Sequence, residues 1–165
     1  MIKQILIPIP GASLGEAAVD LVVSLGKTQA ARVTALIAAD ATLHDRPMQL
    51  AAVTNMVERG MRLCAFQAQA ERTTASLVEA CRAAGVAIEA DERDADFAEA
   101  ISSAWRYHDL VVFPMHGEFH PDVCADPESA LILMITAGVG PIVSVGATPR
   151  PIQRVLIAYS LSLIH

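Results

Sequence analysis

Apolar and polar positions along this chain follow two periods, and the switches between them mark out its elements. Residues 2–9 open with a polar pair, Lys3-Gln4, and then run apolar through Ile5, Leu6 and Ile7, as a short strand buried on both faces does. Ser13-Leu14-Gly15-Glu16 has capping-box spacing, so Ser13 is placed to accept from the backbone near Glu16 while Glu16 reaches back. The predicted helix carries Ala17, Leu21, Val22 and Leu25 on one face and stops near Gly26. A second strand is expected over Arg32–Ala38. A polar loop around His44-Asp45-Arg46-Pro47 then leads into a long helical stretch over about residues 48–84, closed by Gly85.

The second half repeats the alternation. Residues 86–92 alternate apolar and polar, as an edge strand should. Asp96 and Glu99 have the spacing of a second capping box, opening a helix through Ile101, Ala104 and Trp105. Leu110-Val111-Val112-Phe113-Pro114 is a fourth strand with both faces buried. Asp126-Pro127-Glu128 combines an N-cap, a proline at the first helical position and an acid in the first turn, and predicts a helix to about Ala137. Residues 141–145 are the fifth strand. Strands alternating with helices predict a three-layer α/β/α sandwich around a five-stranded, mainly parallel, Rossmann-like sheet with right-handed crossovers. A ligand belongs at the carboxyl ends of such strands, where the strand order reverses.

One repeat stands out. Ile152-Gln153-Arg154-Val155-Leu156-Ile157-Ala158-Tyr159 has the layout of the opening strand. This predicts a domain over residues 1–147, a linker over 148–152, and the first strand of a truncated second domain over 153–160. Residues 161–165, Leu-Ser-Leu-Ile-His, resemble the translated start of a transposon-type sequencing adaptor and are expected to be a non-native tail.

Composition narrows the function. The chain has 165 residues, 53% hydrophobic and 18% charged, with mean hydropathy +0.43, which suits one domain around a sheet covered on both faces. A net charge of −6, with twelve Lys and Arg scattered without a run, argues against nucleic-acid binding. The uncharged stretch 129–148 approaches membrane-spanning length, but Gly138-Val139-Gly140-Pro141 breaks it, so no membrane span is expected. Cys64, Cys81 and Cys124 lack CxxC spacing and read as buried or half-buried thiols of a reduced, cytoplasmic protein. Met56, Met61 and Trp105 fall at apolar helix positions and are expected to pack.

The ordered set of Ile5-Leu6-Ile7-Pro8, Asp109-Leu110-Val111-Val112 and Gly140-Pro141-Ile142-Val143 resembles the universal stress protein family over about 145 residues. The restart at Arg154 is similar to tandem members. The resemblance implies a binding domain rather than an enzyme, with adenine near Pro10-Gly11 and Ala38-Ala39 and phosphates near Gly117. It also implies pairing through the last strand, Ile142–Val145, with a second domain or a second copy.

The family's nucleotide-binding members carry an acid after the first strand and G-x2-G-x9-G-[ST] after the fourth. Here Pro10 stands at the acid, His120 at the second glycine, and only Gly117 carries over. Residues 117–128 hold four carboxylates (Glu118, Asp122, Asp126, Glu128) and no Lys or Arg. A helix N-terminus offers a phosphate about 0.3–1 kcal/mol, whereas a carboxylate at contact range costs about 1–4 kcal/mol. The expectation is a degenerate site without a cofactor. The alternative is a functional ATP- or AMP-binding module.

Gly11-Ala12-Ser13-Leu14-Gly15 lacks the third glycine of a dinucleotide loop, and Walker A, HxGH and SGGxDS strings are all missing. His116, His120, Asp122 and Cys124 are close in sequence, but Pro121 breaks the helix that would align the histidines, so no metal site is expected.

Overall fold

Ile5, Ile7 and Ile9 point to one side of the first strand and Leu6 to the other, and that two-residue period organises the molecule. A computed structural model describes residues 1–38, 52–119 and 126–148. The elements run β1 (Gln4–Pro8), β2 (Gly11–Leu14), α1 (Glu16–Gln29), β3 (Arg32–Ala38), α2 (Ala52–Ala83), β4 (Ile88–Arg93), α3 (Phe97–Ala104), β5 (Leu110–Pro114), β6 (Gly117–Phe119), α4 (Pro127–Thr136) and β7 (Ile142–Val145). Five strands form one sheet in the order β4-β3-β1-β5-β7, and every pairing in it is parallel. The predicted Rossmann-like α/β class is the observed one.

The sheet separates two cores. Ile5, Ile7, Val33, Ala35 and Val112 meet Val22 of α1 and Phe66, Ala70 and Leu77 of α2. Leu6, Leu36, Val111 and Phe113 meet Phe97, Ala100 and Ile101 of α3 and Met134 of α4. Phe97 and Phe113 lie with ring centroids 6.5 Å apart and planes tilted by 54°. Fully burying each such side chain contributes about 1.5–3 kcal/mol, which fixes the strand register.

Two local expectations change. The helix after the first strand continues past Gly26 to Gln29, and Ala30, at φ 50°, caps it. Gly26 is instead a packing residue: a Cβ there would lie 2.5 Å from Cγ1 of Val86, so the glycine lets α1 approach the connection between α2 and β4. The capping box at Ser13 does not form. Ser13 lies in β2, and α1 begins from Gly15 without a side-chain cap. At Asp96 the N-cap does form, its carboxylate accepting from the N–H groups of Ala98 and Glu99 at 3.0 and 3.2 Å. Trp105 packs half-buried on the second core, whereas Met61 and Cys64 are exposed, contrary to expectation, and Cys81 is buried. No described helix is long and apolar enough to cross a membrane.

At the amino-terminal end of the sheet, Asp109 accepts from the N–H groups of Lys3 and Gln4 at 2.7 and 3.0 Å. These two bonds hold its carboxyl below the usual range and pin β1 to the start of β5. The Asp109-Leu110 junction therefore serves the fold, at the end away from any ligand crevice.

Candidate functional site

The strand order reverses beside β1: the chain goes from β1 to β3 and β4 on one flank, then crosses to β5 and β7 on the other. The crevice of an open α/β sheet lies there, between the loops that follow β1 and β5. Those two loops are zipped together. Gly11–Leu14 and Gly117–Phe119 form an antiparallel two-stranded ribbon, with Gly11 opposite Phe119, Ser13 opposite Glu118 and Leu14 opposite Gly117, and a register shift between Gly11 and Ser13. Neither strand shows a clean alternation, and each is only three or four residues long, so the sequence carries little signal for them.

Glycine makes this closure possible. Gly117 has φ +147°, and a Cβ on it would stand 2.5 Å from the carbonyl oxygen of Ser13. A Cβ on Gly15 would stand 3.0 Å from the carbonyl oxygen of His116. Each glycine lets one main chain approach the other, the same property that in a phosphate loop lets main chain approach an anion. Here the approach is between two segments of protein.

The predicted site residues are partly gathered. Pro10, Gly11 and Ala38 are buried at the carboxyl ends of β1 and β3, with the Ile9 N–H donating to Leu36 at 2.8 Å. Gly117 lies across the ribbon from Leu14. Ala39, the linker beyond residue 148, the repeated strand and the last five residues lie outside the described residues, as do His120, Asp122 and Cys124. Among the described residues no group of three His, Cys, Asp or Glu could hold a metal ion.

The start of α4 is also taken. Asp126 caps α4, accepting from the N–H groups of Glu128 and Ser129, both at 3.2 Å, and from the Ser129 hydroxyl. The hydroxyl first, and then the two N–H groups, hold the Asp126 carboxyl below its ordinary value. The amides that a phosphate needs at such a terminus already serve a carboxylate of the chain itself.

No family model and no curated protein sequence matches the chain, but solved structures do. A universal stress protein family member from Burkholderia pseudomallei covers 87% of this chain and 95% of its own, at 17% identity and a TM-score of 0.56. The universal stress protein UspA from Lactobacillus plantarum is similar over 87% of this chain and 96% of its own, also at 17% identity and TM-score 0.56. The fold is that of the universal stress proteins. A further universal stress protein, solved in complex with cAMP, covers 89% of this chain and 98% of its own at 11% identity and TM-score 0.53.

Two features off the switch point were not singled out by sequence. A crevice of about 340 Å³ beside β2 is lined by Ser13, Leu14, Val19, Arg72, Thr73 and Ser76, among others. A larger groove of about 800 Å³ runs between α2 and the β4 edge. Thr74 lines this groove; it is 5% exposed, and its hydroxyl is the one buried side-chain oxygen without a hydrogen-bond partner among the described residues. An unpartnered buried hydroxyl costs about 1–3 kcal/mol.

Proposed function

We propose that this chain is a universal-stress-protein-like binding domain that acts without catalysis, and that its switch-point nucleotide site is degenerate. The observation carrying this reading is the ribbon between Gly11–Leu14 and Gly117–Phe119, which places paired main chain where phosphates would need free N–H groups. Asp126 likewise occupies the N–H groups at the start of α4 with a carboxylate of the chain itself. Titration with ATP, AMP and cAMP at millimolar ligand is expected to give neither heat nor a thermal shift. Saturable micromolar binding of any of the three overturns the reading.

The second reading, a functional nucleotide-binding module, is favoured by the neighbour solved with cAMP and by the gathering of Pro10, Gly11 and Ala38 at one end of the sheet. It requires the ribbon to open. Protection of the β2 and β6 amides from hydrogen exchange would then fall on adding nucleotide.

The role that remains for such a domain is pairing, and β7 is the surface suited to it. Pro141 and Val145 direct their carbonyls to β5, so by alternation the N–H and C=O groups of Ile142 and Ser144 point outward. A second copy, or a second domain of the same kind, would continue the sheet there. Light scattering across concentration tests it: a rising mass supports pairing between copies, and a constant monomer mass counts against it.

A further inference from the structure

A helix lying on a sheet normally turns a polar stripe to solvent, and α4 does not. From Ser129 to Thr136 it reads Ser-Ala-Leu-Ile-Leu-Met-Ile-Thr, without a charged side chain. Met134 is buried in the second core with Val111 and Phe113 of β5, and Ala130, Leu131 and Ile142 of β7 pack half-buried against it. Ile132, Leu133 and Ile135 are exposed on the same helix. A continuous apolar patch of this kind, next to the open edge of β7, marks a surface that another molecule covers.

The winding of α4 decides which of the three can meet a partner. β5 and β7 are parallel neighbours, so the right-handed crossover between them lays α4 over both strands and antiparallel to them. Successive residues turn by about 100° around a helix. From Met134 on the sheet, Ile135 turns toward the open side beyond β7, Leu133 turns toward α3, and Ile132 stands on the crest. The sense of any strand added to β7 then matters. A two-fold axis that makes the two β7 strands parallel sends the second α4 to the opposite face of the sheet, whereas an antiparallel pair keeps both helices on one face. Strands lie about 4.8 Å apart. Each α4 covers its own β5 and β7, so antiparallel pairing sets the two α4 axes about two strand spacings apart, which matches the interaxial distance of about 8–10 Å at which helices pack.

We infer that the outer flank of α4 is covered by the α4 of a second copy of this chain, with Ile135 and Ile132 of each copy packing across a two-fold axis and the two β7 strands running antiparallel. The inference rests on the pairing role proposed for β7, and it adds the sense of that pairing, a helix contact and the side chains that make it. A copy fits because the flank is complementary to itself: it is apolar throughout, and residues 129–136 carry no charge to repel its own image. The strand edge supplies the hydrogen bonds, and the helix flank supplies the apolar burial.

The test is sedimentation equilibrium of the full chain beside Ile135→Glu, Leu133→Glu and Ser144→Pro. The wild type should self-associate. Ile135→Glu should weaken association about a hundredfold, because a two-fold pair buries the new charge twice. Leu133→Glu, on the flank toward α3, should change it by about twofold or less. Both side chains are exposed in a single copy, so each glutamate variant should melt like the wild type at concentrations where all are monomeric. If Ser144→Pro separates the copies and Ile135→Glu does not, pairing through β7 stands and the helix contact is overturned. If Ile135→Glu separates them and Ser144→Pro does not, the strand pairing fails, and the antiparallel arrangement fails with it. Equal losses from Leu133→Glu and Ile135→Glu overturn the assigned flank. A wild-type mass that stays monomeric at every concentration overturns the inference together with the pairing of copies. A lowered melting temperature of monomeric Ile135→Glu also overturns it, since the flank would then be covered within one chain.

Discussion

The two edges of the sheet are built in opposite ways. β4 reads Ile-Glu-Ala-Asp-Glu-Arg, four of its six residues charged. Its Arg93 is held by Asp91, at 2.9 Å through Nε and 2.7 Å through Nη2, and donates through Nη1 to Ser103 on α3 at 2.6 Å. β7 reads Ile-Val-Ser-Val and carries no charge. Beside it α4 exposes Ile132, Leu133 and Ile135 at 63%, 59% and 59%. Charge on an edge makes a further strand costly to add, because its carboxylates would be desolvated, and a neutral edge has no such penalty. One sheet can therefore stay closed at one end and be extended at the other.

The strongest way to break this contrast is Ser144→Pro. It removes an outward N–H from β7 and leaves the bonds to β5 in place. In a two-fold pair each loss counts twice, so association should weaken about tenfold or more in sedimentation equilibrium while the monomer fold persists. Unchanged association would show that β7 is not the pairing edge.

Gly117→Ala acts between the edges. It places a Cβ against the Ser13 carbonyl at a backbone angle that L side chains rarely adopt, and should cost about 1–3 kcal/mol in thermal unfolding. Exchange protection should be lost in β2 and β6 before either edge strand is affected.

Asp109→Ala releases the N–H groups of Lys3 and Gln4 at the foot of β1, the strand from which both flanks grow. The folded carboxyl titrates below its unfolded value, so its contribution is present above about pH 4 and is lost as pH falls through the folded value. Acid titration of the melting temperature should be steeper for the wild type than for the variant.

Asp91→Ala is the smallest change. The Arg93–Asp91 pair is partly exposed and should contribute about 0.2–1 kcal/mol. Little self-association should arise through β4, because Glu89 and Glu92 remain. New association there would mean that the latch, and not charge alone, guards this edge.

Much of this was legible in residue order. The five sheet strands, the capped starts of α3 and α4 and the charged edge follow from period and caps, because each is specified by neighbours within a turn or two. The helix stop near Gly26 was misjudged because a glycine in contact with Val86 looks, in sequence, like one that ends a helix. The capping box at Ser13 failed for a related reason: residues 11–14 satisfy their backbone across the ribbon instead, and a partner more than a hundred positions away leaves no local mark.

Local chemistry alone thus determined a Rossmann-like α/β chain whose fourth-strand loop is poor in phosphate-binding residues. Burial of apolar runs and capping of helix ends are short-range requirements, and the sequence states them directly. The tertiary structure decided that the loops after β1 and β5 pair with each other, that Gly15 and Gly117 allow that approach, and that a groove opens between α2 and β4. Those are contacts between distant segments, and they form only once the parallel sheet has set the distances between them.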